Sequence, residues 1–175
     1  SVVAAFTAVN RIDDFAYTPE QNIAHSMTAL MAQNKGAGKK NRMQEGFRCG
    51  MVLESIYGIF IFLVCFIFAK PLMCLFVQDE EVIMHGVTYL HLISIMYILP
   101  AFTNGIQGFF RGIGDLKITL ISSLVNMTVR VIVAAPLVFS LHLGIEALPY
   151  SYLAGWIGML MAELPLLIRT YKAYE

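Results

Sequence analysis

Charge is scarce in this sequence. Its 175 residues carry 12 Lys and Arg against 12 Asp and Glu, 14% of the chain, and the formal net charge is zero. A soluble domain has about 25% charged residues. The balance removes any bulk attraction to nucleic acid, and no nucleic-acid partner is expected. Cysteine is also sparse. Cys49, Cys65 and Cys74 show no Cys-x-x-Cys spacing, so they are expected as reduced, packed thiols. No two of the four histidines, His25, His85, His91 and His142, stand three or four residues apart, so no metal site is expected. Nucleophile-elbow and zincin patterns are missing, and Gly36-Ala37-Gly38-Lys39 lacks the spacing of a phosphate loop. The sequence therefore reads as non-enzymatic, without a cofactor. No basic segment precedes a short apolar one, so no signal peptide is expected, and the chain is read as starting inside a longer protein.

Apolar residues are plentiful. They make up 58% of the chain, and the mean hydropathy is +0.68. A membrane crossing takes about 20 apolar residues. Spans are expected over residues 3–33, 47–69, 82–106, 118–141 and 147–168, giving an all-α polytopic transmembrane helix bundle. Pro100, Pro136 and Pro165 fall in or near these spans, where neighbouring helices re-satisfy the freed carbonyls. Glu54 and Glu163 are expected to reach the membrane surfaces. Basic residues alternate between the connections. Lys35, Lys39, Lys40, Arg42, Arg48, Arg111, Lys117, Arg169 and Lys172 lie on one side, and Lys70 alone on the other. The positive-inside rule then places the C-terminus in the cytoplasm of a multi-pass cell-membrane protein. This alternation requires residues 1–31 to be a span despite Arg11, Asp13, Asp14 and Glu20.

That opening stretch is the candidate functional element. On a helical wheel Thr7, Asn10, Arg11, Asp14, Thr18, Gln21, His25 and Thr28 form a stripe about 100° wide. Ala5, Ala8, Val9, Ile12, Phe15, Ala16, Ile23, Met27 and Leu30 form the opposite face. A charge at mid-bilayer costs roughly 2.5–3.5 kcal/mol on insertion scales, so the charged residues are expected to face protein or water. Asn10, Arg11, Asp13, Asp14, Tyr17, Glu20 and Gln21 are the candidate residues of a substrate or coupling-ion pathway. His25 is a candidate proton carrier. Phe15, Tyr17, Met27 and Met31 supply polarisable aromatic and thioether surface. Arg130, a lone cation in the fourth span, is a candidate structural ion-pair partner for an acid on the first helix. Gly46-x-x-x-Gly50 and Gly108-x-x-x-Gly112 permit close helix approach. Gly36-Ala37-Gly38 and Gly112-Ile113-Gly114 read as helix C-caps.

Three segments carry a resemblance. The first runs from Val3-Ala4-Ala5-Phe6 through Asn10-Arg11-Ile12-Asp13 and Pro19 to Gln33-Asn34-Lys35-Gly36-Ala37-Gly38-Lys39. The second is Phe68-Ala69-Lys70-Pro71-Leu72 with Asp79-Glu80-Glu81-Val82-Ile83, and the third is Gln107-Gly108 with Arg111-Gly112-Ile113-Gly114-Asp115. In this order they resemble the C-terminal half of the multidrug and toxic-compound extrusion (MATE) transporters.

The resemblance implies two six-helix bundles around a central cavity, with this chain as helices eight to twelve. It implies a secondary active transporter that exports organic cationic or amphipathic compounds in exchange for Na⁺ or H⁺. The implied partners are the lipid bilayer, the N-terminal bundle, helix seven and small organic cations. The implied location is a bacterial inner membrane. Many family members carry coupling carboxylates on helices one, seven and ten. The span that matches helix ten has no Asp or Glu, so Asp13, Asp14 and Glu20 remain as candidates. Two alternatives stay open: a lipid-linked precursor flippase of the same superfamily, and a non-transporting membrane scaffold. A flippase is expected to have a strongly cationic cavity, whereas the first helix carries three acids and one arginine.

Overall fold

A computed structural model describes residues 2–139 and 147–172. Ser1, the end of the fourth expected span at 140–141, and His142 lie outside the described residues. The described residues form seven helices: α1 (Val2–Gly36), α2 (Lys40–Ile67), α3 (Ala69–Cys74), α4 (Glu80–Ser94), α5 (Ile98–Gly112), α6 (Leu116–Phe139) and α7 (Ala147–Lys172).

Helix boundaries follow local chemistry. Gly38 and Gly114 take φ values of +68° and +82°, which ends α1 and α5 in a left-handed turn that glycine adopts without strain. Asp79 caps α4 by accepting hydrogen bonds from the Glu81 and Val82 amides at 3.0 and 3.2 Å. The third expected span is not continuous. α4 and α5 meet at 47°, with the break at Ile95, Met96 and Tyr97. Pro100 explains it, because proline donates no hydrogen bond and its ring crowds the carbonyl four residues back, at Met96.

Among the described residues α2, α6 and α7 are each long and apolar enough to cross a membrane, and the bent α4–α5 pair qualifies as a fourth. α1 fails on hydropathy, although its 35 residues extend about 50 Å.

α1 lies between α2 and α5. A Cβ added to Gly108 would sit 2.7 Å from the Ala24 carbonyl oxygen, and one on Gly112 would sit 2.7 Å from that of Thr28 and press on Met31. On the other side Gly46 and Gly50 of α2 abut Leu30 and Met27. Both small-residue patterns therefore pack on the same half of α1. Hydrogen bonds reinforce the seam. The Thr28 hydroxyl donates to the Gly108 carbonyl at 3.2 Å, and the Lys35 ammonium donates to the Ile113 carbonyl. The Tyr57 hydroxyl of α2 donates to the Ala16 carbonyl at 2.9 Å.

Two apolar cores result. One joins Val9, Ile12, Ala16, Cys65, Met73 and Leu90, and the other joins Met27, Met31, Met43, Phe47, Phe109 and Phe110. Between them along α1, α2 and α5 lie Glu20, Glu54 and Asn104. Cys65 is packed as expected, while Cys49 and Cys74 are exposed, and all three are free thiols.

Gly112→Ala is expected to destabilise the fold by about 1–3 kcal/mol, because the new methyl meets backbone and a packed side chain. Gly36→Ala meets nothing within 4 Å and is expected to be neutral. Thermal unfolding of both proteins in detergent checks the pair, and equal midpoints would remove the proposed basis of the seam.

Candidate functional site

The inward polar row of α1 is Asn10, Asp13, Tyr17 and Glu20, spaced three, four and three residues apart, so it lies on one helical face. It is rotated by about 100° from the polar stripe read off the wheel. Asn10, Asp13 and Tyr17 line a cavity of ≈ 320 Å³. Opposite them, Tyr97 and Pro100 come from the bend between α4 and α5, which the cavity adjoins. α6 contributes Arg130, and α7 contributes Tyr152 and Trp156.

Each charge in the cavity has an identifiable environment. The Tyr97 hydroxyl lies beside the Asp13 carboxylate, and Arg130 acts on it electrostatically. The Arg130 guanidinium lies over the Tyr152 ring, 3.8 Å from its centroid. Such a contact is worth about 0.5–2 kcal/mol. Arg130 forms no ion pair among the described residues, and its buried Nε has no hydrogen-bond partner. Tyr17 and Trp156 stand with ring centroids 6.4 Å apart. The same two rings border a second, smaller cavity of ≈ 180 Å³, which Asn104, Gln107 and Asn126 also line. The Tyr17 hydroxyl donates to Asn104 Oδ1 at 3.2 Å.

Two further acids are buried, where surface positions were expected. Glu163 has no exposed area, and Gln107 Nε2 donates to its Oε1 at 3.3 Å while lying 3.5 Å from the Ser122 hydroxyl. Glu54 has no exposed area either and packs against Gly105. Glycine at that position gives the carboxylate stem room on α5.

Of the seven α1 residues expected on a pathway, Asn10, Asp13 and Tyr17 line the cavity, and Glu20 is fully buried beyond it. Arg11, Asp14 and Gln21 are exposed on the outer side of the helix, as are Thr7, Thr18 and His25. Phe15, placed on the apolar face by the wheel, is 77% exposed. Met27 and Met31 belong to a packed core rather than to the cavity. Sequence reasoning did not identify Tyr97, Asn104, Gln107, Tyr152 or Trp156. A signal did exist for Glu54 and Glu163, since each is the single acid of a long apolar run. Among the described residues no three His, Cys, Asp or Glu side chains gather where a metal ion could be held. The main cavity combines one acid, one arginine and several aromatic rings. It suits a small organic molecule with a flat or charged portion.

The MatE family model matches residues 1–137. A probable multidrug resistance protein NorM of Thermotoga maritima is 24% identical over 150 residues, covering 85% of this chain and 31% of the relative. A protein of Shewanella oneidensis described as an FAD transporter is 25% identical over 124 residues, covering 69% of this chain and 27% of the relative. A crystal structure of a MATE protein in the bent conformation superposes with a TM-score of 0.92 at 15% identity, covering 99% of this chain and 39% of that one. The chain thus spans about a third of the length of the curated relatives it matches.

Gln107→Leu removes the amide that donates to the buried Glu163 carboxylate. The expected cost is about 1–3 kcal/mol, read as a lower unfolding midpoint in detergent. Adding Glu163→Leu to this variant is expected to restore part of the loss, because both polar partners are then gone.

Proposed function

The chain belongs to the MatE family, whose members are transporters rather than enzymes, and on that premise we propose that it forms part of the C-terminal bundle of a secondary active exporter. The proposed cargo is organic cationic or amphipathic compounds, and the driving ion is Na⁺ or H⁺. The observation that carries the reading is the cavity at the bend between α4 and α5, where Asp13 faces aromatic rings. Aromatic faces attract organic cations, and a carboxylate supplies the opposite charge. Asp13 then serves as the point of competition. It holds the coupling ion in one state and releases it when the cationic cargo arrives in the other. A site can couple two ligands only if each has a different affinity for the two states.

The exposed face of α1 supports the same reading. Arg11, Asp14, Gln21 and His25 share that outer face, which lipid cannot cover cheaply. We assign that face to the remainder of the transporter or to its water-filled passage. Five spans, with the basic connections and the C-terminus in the cytoplasm, complete the proposal.

Arg130 favours a second reading. It is a cation in the cavity without an acidic partner at contact distance, so it suits anionic cargo. The Shewanella relative, described as an FAD transporter, makes that class worth testing.

Both readings are tested by uptake and export in proteoliposomes containing the full-length protein, with Na⁺ and pH varied separately. Asp13→Asn is expected to lower export of a fluorescent organic cation about tenfold or more. That corresponds to losing a charge-assisted contact of about 1.5–3 kcal/mol. Arg130→Gln is expected to leave cation export within about twofold. Unchanged export by Asp13→Asn at normal expression would sink the role given to Asp13. A selective loss of flavin-nucleotide transport in Arg130→Gln would instead establish the second reading.

A further inference from the structure

We propose that Glu20 of α1 and Glu54 of α2 form a closed proton-holding pair against α5, separate from the cavity and connected to it through Tyr17 and Asn104. The proposal deepens the transport reading by naming a proton-binding site, and it rests on that reading for the pair's role in coupling.

Both carboxyl groups have no exposed area, and none of their four oxygens has a hydrogen-bond partner. Glu54 lies near enough to Glu20 to act on it electrostatically. They reach α5 at consecutive residues, Glu20 beside Asn104 and Glu54 against Gly105. The groups that face them are acidic or neutral. On α1 these are Asp13 and Tyr17, on α2 Tyr57, and on α5 the amide of Asn104. From α4 and the bend, Tyr89 and Tyr97 face Asp13, and Arg130 of α6 does the same. No base is among the neighbours that act on Glu20 or Glu54.

A buried carboxylate without a partner costs several kcal/mol, and two that share a site cannot both be charged cheaply. Something positive must cancel that charge. Neither residue lines the main cavity or the smaller one beside it, and no third ligating acid, Cys or His joins them. A proton needs no coordination shell and fits a closed pair, whereas a metal ion does not. The step is a simple transfer. A hydronium that reaches the pair gives its proton to one carboxylate oxygen: one O–H bond of the hydronium breaks, a carboxylic O–H bond forms, and water is left.

The link to the cavity is visible. Tyr17 lines the main cavity, and its hydroxyl donates to Asn104 Oδ1 at 3.2 Å. The other end of that amide, Nδ2, is buried and unpartnered beside Glu20. Asn104 is 9% exposed, so this polar group is held at the pair rather than in solvent.

Infrared difference spectra of the full-length protein in detergent, recorded on pH steps, test the proposal. A carbonyl-stretch band of protonated carboxylic acid is expected in the wild type, to shift in D₂O, and to be lost in Glu20→Gln/Glu54→Gln. Asp13→Asn is expected to retain it. Each single Gln variant is expected to move the titration of the remaining acid, as in any coupled pair. If the double variant does not fold, Glu54→Asp keeps a carboxyl group and is expected to shift the band in frequency. A band that survives the double substitution, or that is unshifted in Glu54→Asp, overturns the proposal. So does a band that answers to Na⁺ at fixed pH instead of to protons. Loss of the band without any transport would leave the pair standing and sink the transport reading. Proton-driven export with the band unaffected would do the reverse.

Discussion

The close approach of α1 to α5 is the constraint on which the rest depends. The absence of side chains at Gly108 and Gly112 brings α5 onto the Ala24 and Thr28 carbonyls. At that spacing neither water nor lipid fits between the helices. Polar groups on the facing surfaces must then find partners across the seam or remain without them. Thr28 and Tyr17 find partners on α5, and Glu20 does not. The packing that makes the bundle possible therefore also leaves a buried acid without a partner.

The same seam divides the acids into three environments. Asp13 opens on a cavity and has Arg130 in range. Glu163 is enclosed but accepts a hydrogen bond from Gln107. Glu20 and Glu54 are enclosed with no partner. Burying a polar group is costly in proportion to what it leaves unsatisfied, so these acids differ in energy although they share a side-chain chemistry. Proteins keep such groups mainly where function uses them.

Much of the fold was legible in the sequence. Hydropathy located the long apolar helices, glycine located the ends of α1 and α5, and the two small-residue patterns mark real close approaches. The bend was less legible. Pro100 is visible in the sequence, but proline in a membrane helix is compatible with a continuous span as well as a broken one. The site was legible in part. The wheel weighed polarity alone, so Tyr17 did not count toward a stripe, and the centre of the polar face fell on Asp14 rather than on Asp13. Burial is decided by what packs on the helix, and only the tertiary arrangement supplies that. Glu54 and Glu163 show the same limit. A single acid in an apolar run can extend to a membrane surface or point into the bundle, and the run reads alike in both cases. Gly105 resolves it for Glu54 by leaving room on α5.

The bend at residues 95–97 ties these observations together. Met96, Tyr97 and Pro100 border the cavity on one side of it. One turn further along the same helix, Asn104 and Gly105 meet the two closed glutamates. A rotation of α5 about this joint would displace a wall of the cavity and the seat of Glu20 and Glu54 in a single movement. Helical segments are stiff while joints are not, so a displacement at one end of α5 is transmitted to the other. Coupling between two ligands requires an element whose position both of them bias. α5 has that placement. It borders the cavity at its N-terminal end and buried acids one turn later, and glycines hold it against α1 thereafter.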